Sequence, residues 1–225
     1  MTTKITNLAP FIEHTLLKPE ATSLQVEQLC REALQYSFKG VCVNSSYVPL
    51  AAHQLKNTPV LLVAVVGFPL GAGLSEAKAH EALLAAQQGA QEIDMVLHIG
   101  AAKEGRWDYV IKDIQTVVKA VDIPVKVILE TGFFNTNEII KGCQASEEAG
   151  AHFVKTCTGF APGAATVEHV QLMRATVSSR LQVKASGGIK TSEQALALIA
   201  AGASRLGTSS GVQLVTNQVA SPQSY

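Results

Sequence analysis

The 225-residue chain predicts an α/β fold, a single (β/α)8 barrel over residues 1–225 that ends in a short flexible tail. Two observations predict it. Short runs rich in Val, Ile and Leu alternate with longer amphipathic runs from end to end, the pattern of a parallel sheet sheathed by helices. A glycine-alanine link also recurs between an Ala-rich helix and the next apolar run, at Gly89-Ala90, Gly150-Ala151 and Gly202-Ala203. That link marks an internal βα unit of roughly thirty residues, and about eight such units close a barrel.

The elements follow in order. Residues 12–16 read as the first strand and 23–37 as the first helix. The next units pair strand 40–44 with helix 47–56, strand 61–67 with helix 75–88, and strand 92–97 with helix 107–120. The second half continues with strand 125–130 and helix 137–149, then strand 153–158 and helix 167–177. Strand 182–186 with helix 192–200 and strand 204–207 with helix 211–216 complete the set. Asn135 with Glu138, and Thr191 with Gln194, have the spacing of capping boxes at helix starts. The glycines of the recurring link supply left-handed stops at helix ends. No second domain and no long linker are visible, and residues 217–225 read as the tail.

Composition narrows the function. Hydrophobic residues are 47% and charged residues 16%, which suits a packed globule and excludes disorder. The net charge is +0 and the pI near 7.0, so no basic field exists to hold nucleic acid or a membrane surface. Any anion must be held by a local site. The four cysteines, Cys30, Cys42, Cys143 and Cys157, are scattered and read as reduced, buried thiols. No apolar core of signal-peptide length opens the chain, and the longest apolar run is broken by Gly67, Pro69, Gly71 and Gly73. The expected compartment is the cytoplasm.

Charge inside the strands is the sharpest signal. Lys155 lies in Phe153-Val154-Lys155-Thr156-Cys157-Thr158, and Lys184 in Val183-Lys184-Ala185-Ser186. A buried ammonium loses its hydration, and a second lysine nearby adds like-charge repulsion; both effects favour the neutral amine. A neutral lysine amine is a nucleophile whose natural partner is a carbonyl, and the product is a Schiff base. Asp94 and Lys126 are further charges in barrel strands. Any one of the four would be read as a strand-end side chain or a structural ion pair, and Lys126 with Glu130 as an internal pair. Converging on neighbouring strands, they predict a site with tuned acid–base groups.

Two glycine loops predict an anion cradle. Gly187-Gly188-Ile189-Lys190-Thr191 follows the seventh strand and Gly207-Thr208-Ser209-Ser210-Gly211 the eighth. In this architecture the loops after strands 7 and 8 bind phosphate through backbone N–H groups and a helix N-terminus. Lys190 adds a charge, Ser209 and Ser210 add hydroxyls, and Gly159 adds another N–H. The six histidines lack metal-ligand spacing and read as core or surface residues, so no metal is expected. Gly71-Ala72-Gly73 lacks the rest of a dinucleotide fingerprint. Cys157 and Cys42 read as packing, because no histidine base stands beside either in the sequence.

These same segments resemble the deoxyribose-phosphate aldolase family. So do Glu13-His14-Thr15-Leu16-Leu17-Lys18-Pro19, Val65-Val66-Gly67-Phe68-Pro69-Leu70-Gly71 and Lys126-Val127-Ile128-Leu129-Glu130-Thr131-Gly132, and the matches run in order from residue 13 to 211. The resemblance implies a class I aldolase without cofactor or metal. It implies reversible cleavage of 2-deoxy-D-ribose 5-phosphate to D-glyceraldehyde 3-phosphate and acetaldehyde, in deoxyribose phosphate catabolism. Lys155 looks like the Schiff-base lysine, Lys184 like the neighbour that tunes it, and Asp94 like the proton-handling partner. Gly159, Gly187, Gly188, Gly207, Ser209 and Ser210 look like the phosphate cradle, with Thr15, Thr156 and Lys190 as further substrate contacts. A homo-oligomer, dimer or tetramer, is expected. The family usually has Asp in place of Glu13, which implies a shifted sugar-hydroxyl contact near Thr15, and Ser in place of Cys157. The competing readings are a phosphosugar isomerase and a phosphosugar-binding barrel without catalysis. Tyr225 ends a tail of about ten residues, which reaches roughly 30 Å when extended, enough to bring its hydroxyl to the barrel mouth for proton transfer.

Overall fold

A computed structural model describes residues 7–216. Eight parallel strands close a barrel in chain order: β1 (Ile12–Leu16), β2 (Gly40–Asn44), β3 (Leu61–Val66), β4 (Glu92–Val96), β5 (Val125–Ile128), β6 (Phe153–Lys155), β7 (Gln182–Ser186) and β8 (Arg205–Thr208). The barrel shuts where Ile12 pairs with Leu206 and His14 with Thr208. The outer ring is α1 (Ser23–Gln35), α2 (Val48–Gln54), α3 (Ser75–Gln87), α4 (Ile99–Lys103), α5 (Trp107–Val118), α6 (Thr136–Glu148), α7 (Val167–Thr176), α8 (Ser192–Ala200) and α9 (Gly211–Thr216).

The expected capping boxes close at Asn135–Glu138 and Thr191–Gln194, and a third closes α1 at Thr22–Gln25. Each satisfies two otherwise orphaned backbone donors. Gly89, Gly150 and Gly202 all take positive φ, so the repeated link does stop α3, α6 and α8 as its sequence implies. Several strands end sooner than expected. β3 stops at Val66 because Gly67 turns to φ +60°, and β5 stops at Ile128, two residues before Glu130 reaches φ +60°. β8 starts and ends one residue later than its apolar run. The five-residue α4 was not foreseen; His98, whose side chain accepts the Ala101 N–H, caps it.

The main core lies between the outward strand faces and the helices. Val110, Ile114 and Val117 of α5 are spaced one turn apart and fully buried there. Each is worth about 1.5–3 kcal/mol relative to exposure. Inside the barrel the apolar content is small: Leu17, Cys42, Val63 and Val65, with Phe68 against them. Beside Phe153, Val96 and Ile128, much of the remaining interior is charged. Behind the C-terminal ends of β3 and β4 lies one more buried pair. Lys78 Nζ donates to Asp113 Oδ2 (2.7 Å) and to the Val96 carbonyl (3.1 Å). Residues 217–225, the expected tail with Tyr225, lie outside the described residues.

Candidate active site

Strand alternation and parallel register build the site. Lys155 of β6 pairs in register with Lys184 of β7, and Asp94 of β4 with Lys126 of β5, so all four side chains face inward. Asp94 Oδ2 accepts from Lys155 Nζ at 2.8 Å and from Lys184 Nζ at 2.6 Å, and its Oδ1 accepts from Lys126 Nζ at 2.8 Å. Lys155 is 3% exposed and the other three are sealed from solvent.

Burial pushes the Asp94 carboxyl up, but Lys126, Lys155 and Lys184 outweigh it and hold the group well below the usual carboxylate range. Burial pushes Lys184 down, but the Asp94 and Glu13 carboxylates hold its ammonium above the ordinary lysine range. Lys126 is raised in the same way, chiefly by Asp94 and Glu13 against its burial. Lys184 and Lys126 are thus firm cations, and Asp94 a firm anion.

Two expectations change. Glu13 is absent from the pocket wall at Thr15; its carboxylate is sealed in the barrel, paired with Lys184 and with Arg205 Nη1 (3.2 Å). The longer Glu reaches across the interior. Nor does Lys126 pair with Glu130. It pairs with Glu92 Oε2 (2.6 Å) as well as Asp94. Alternation presumes extended backbone, and the left-handed Glu130 breaks it. The Glu130 carboxylate instead accepts the Thr158 N–H (3.1 Å) and hydroxyl, fixing the turn that follows Lys155.

Above Lys155 opens a pocket whose wall includes Thr15, Gly159, Gly187, Gly188, Gly207 and Ser209. Gly187 and Gly188 have φ of +96° and +73°, and a Cβ on Gly188 would lie 2.7 Å from Ala164 Cβ. Glycine therefore leaves their backbone open to a ligand. Other predicted contacts fall elsewhere. Thr156 spends its hydroxyl on Ser186, donating to the carbonyl (2.7 Å) and accepting the N–H (2.9 Å), which staples β6 to β7. Ser210 is buried off the pocket wall and its hydroxyl has no partner. Lys190 is exposed beyond the wall, with its N–H on Gln194 Oε1 (3.0 Å). Cys157 does reach a histidine, through Thr131: Sγ to Oγ1 is 3.3 Å and Oγ1 to His169 Nδ1 is 3.1 Å. Burial raises its thiol, so it remains a packing group.

Arg205 and Glu92 join this interior, with Glu92 Oε2 3.4 Å from Arg205 Nη1, and sequence reasoning passed over both. Each is the first residue of its strand, where a charge reads as a strand boundary. The assembly can do carbonyl chemistry: an amine at the base of an open pocket, a carboxylate against it, a fixed ammonium beside both, and a glycine-lined rim.

Comparison with known proteins agrees with that chemistry. The model of the DeoC/LacD family aldolases matches residues 9–215. The deoxyribose-phosphate aldolase of Thermoanaerobacter sp. (strain X514) is 54% identical over 213 residues, 93% of this chain and 96% of the relative. That of Staphylococcus epidermidis (strain ATCC 12228 / FDA PCI 1200) is 54% identical over 93% of this chain and 96% of its own. A putative deoxyribose-phosphate aldolase from Coccidioides immitis superposes with a TM-score of 0.91 at 43% identity, covering 93% of this chain and 85% of that one. The tetrameric deoxyribose phosphate aldolase from Aeropyrum pernix gives 0.87 at 33% identity, covering 93% and 90%. In sequence over residues 9–215 and in fold, the chain belongs to the DeoC/LacD family of aldolases.

Proposed function

We propose that the chain is a class I aldolase that cleaves 2-deoxy-D-ribose 5-phosphate reversibly to D-glyceraldehyde 3-phosphate and acetaldehyde. The observation that carries it is Lys155. Its Nζ ends at the pocket, 2.8 Å from a carboxylate that also holds Lys184. The neutral amine adds to the C1 aldehyde, and loss of water gives an iminium ion. The C3 hydroxyl loses its proton, and the C2–C3 bonding pair flows into the iminium. D-glyceraldehyde 3-phosphate leaves and an enamine remains on Lys155. Protonation at C2 and hydrolysis release acetaldehyde and restore the amine. Asp94 is the acid–base group for these transfers, acting with water; Lys184 shares its Oδ2 with Lys155 and tunes that amine, and Lys126 holds Oδ1. Gly159, Gly187, Gly188, Gly207 and Ser209 receive the phosphate, and Thr15 meets the sugar.

Relatives named deoxyribose-phosphate aldolase support this substrate. The chain works as one domain and as a homo-oligomer in this reading, which the tetrameric Aeropyrum pernix relative supports. No described helix is long and apolar enough to cross a membrane. Sodium borohydride with acetaldehyde tests the reading. Reduction should fix a two-carbon adduct on the Lys155 peptide, whereas an isomerase or a non-catalytic binder would leave that peptide unmodified.

A further inference from the structure

Six charged side chains inside the barrel close a ring in which every neighbour has opposite sign. Arg205 meets Glu13 at 3.2 Å, and Glu13 meets Lys184. Lys184 meets Asp94 at 2.6 Å, and Asp94 meets Lys126 at 2.8 Å. Lys126 meets Glu92 at 2.6 Å, and Glu92 returns to Arg205 at 3.4 Å. One further contact, Lys126 to Glu13 at 3.6 Å, braces the ring across its middle. Arg205 and Lys126 also flank the Phe153 ring, at 5.4 and 5.6 Å from its centroid.

The ring carries three positive and three negative charges and is neutral. Lys155 hangs outside it on Asp94 Oδ2. Every strand facing Lys155 can be checked for a compensating charge. β2 offers Cys42, whose thiol burial pushes up to about 11, so it is uncharged at neutral pH. β3 offers Val63 and Val65. Cys157, beyond β6 itself, is raised by burial and likewise uncharged. Glu130, beyond β5, is taken up by Thr158 and makes no ion pair with any member of the set. Every carboxylate, ammonium and guanidinium on β1, β4, β5, β7 and β8 is already in the ring, and His14 of β1 turns outward to Glu32 (2.8 Å). Lys155 and Glu130 are then the two buried inward charges outside the ring: Lys155 shares Asp94 Oδ2 with Lys184, and Glu130 is held by Thr158.

We propose that Arg205 and Glu92, which lie away from the substrate at the N-terminal ends of β8 and β4, are positioning residues that set the pH at which the Lys155 amine is free. They do so by holding the ring at zero charge. With Lys155 neutral, the ring and Lys155 together carry no charge; with Lys155 protonated they carry plus one. Removing Arg205 takes the ring to minus one, and Lys155 then keeps its proton to higher pH. Removing the Glu92 charge takes the ring to plus one, and Lys155 sheds its proton at lower pH. Lys155 and Arg205 sit two strands apart in register, through Lys184. At about 10 Å and an effective dielectric near 20, one charge moves a titration by about one pH unit.

The inference rests on the Schiff-base reading above, and the test separates the two. Wild-type enzyme is first trapped with acetaldehyde and borohydride across pH, and kcat/KM for deoxyribose 5-phosphate is measured over the same range. Absence of a wild-type adduct defeats the reaction assigned to the chain. Given the adduct, Arg205→Gln should shift the ascending limb about one unit alkaline and Glu92→Gln about one unit acid. Arg205→Lys, which keeps the charge, should stay with wild type. The Glu92→Gln/Arg205→Gln double variant, neutral again, should move back towards it. General destabilisation would lower activity in every variant, but it would not push the two single variants in opposite directions. Shifts of the same sign, or none, overturn the inference. Should Arg205→Gln fail to fold, the sign of the Glu92→Gln shift decides alone: acid supports the ring, while alkaline or unmoved refutes it.

Discussion

Lys78→Met should cost the fold about 3–5 kcal/mol, although residue 78 touches no substrate. Lys78 is 2% exposed, and its partner Asp113 is sealed. Methionine keeps the apolar stem, which packs beneath Gly67 within 3.1 Å of where a Cβ would stand. The loss is therefore electrostatic: Asp113 stays buried with only the Ser75 hydroxyl as donor (2.8 Å), and the Val96 carbonyl loses its lysine. For a chain of this size that cost lowers the melting temperature by roughly 6–20 °C. Removing both charges in Lys78→Met/Asp113→Leu should cost less, about 1–3 kcal/mol, since the groups that then lose a partner are neutral, the Val96 carbonyl and the half-buried Ser75 hydroxyl. Guanidinium unfolding followed by circular dichroism measures both. A single-variant cost below about 1 kcal/mol, or a double variant worse than the single, would refute the reasoning.

Lys155→Arg keeps the charge but not a titratable amine, so cleavage should fall by orders of magnitude with an unchanged circular dichroism spectrum; retained turnover would sink the mechanism. Lys184→Leu strips one positive charge from beside Asp94, and the activity profile should move to higher pH; an unchanged profile at normal turnover would show that Lys184 does not tune the site. Ser209→Glu places a negative charge on the pocket wall and should raise KM for deoxyribose 5-phosphate far more than for unphosphorylated deoxyribose; equal losses would locate the damage in the chemistry. Burial raises Cys30 and Cys42 to about 11 and Cys143 to about 12, so Ellman's reagent at about pH 8 should find no rapid thiol in the native protein and all four in guanidinium.

The barrel was legible because a period-2 apolar run between helical runs has one physical solution, and β1, β2 and β7 fall on their expected residues. Lys155, Lys184 and Asp94 stood out because a charge in the middle of a buried strand demands a reason. Glu13, Glu92 and Arg205 were harder to see. They lie near strand starts, where a polar residue is ordinary, and only closure of the barrel brings β1, β4 and β8 to one axis. Ser209 and Ser210 are chemically the same in sequence; the turn into α9 sends one to the pocket and buries the other. Thr156 was expected as a substrate contact from the resemblance, yet alternation gives it to the face opposite Lys155, where its hydroxyl is taken by the Ser186 backbone. Glu130 was misjudged for a related reason: one left-handed residue resets the phase of everything after it.

The small apolar cluster of Leu17, Cys42, Val63 and Val65 lines the β2–β3 arc, and the glycine rim and lysines line the β6–β8 arc facing it. Of that cluster only Leu17 reaches the pocket wall, where Ile189 is the other aliphatic side chain among threonines, serines, glycines and Lys155. In the proposed reaction the substrate therefore meets hydroxyls, backbone and one amine along most of its length, and the apolar cluster serves as the floor that keeps the β2–β3 side of the barrel filled beneath it.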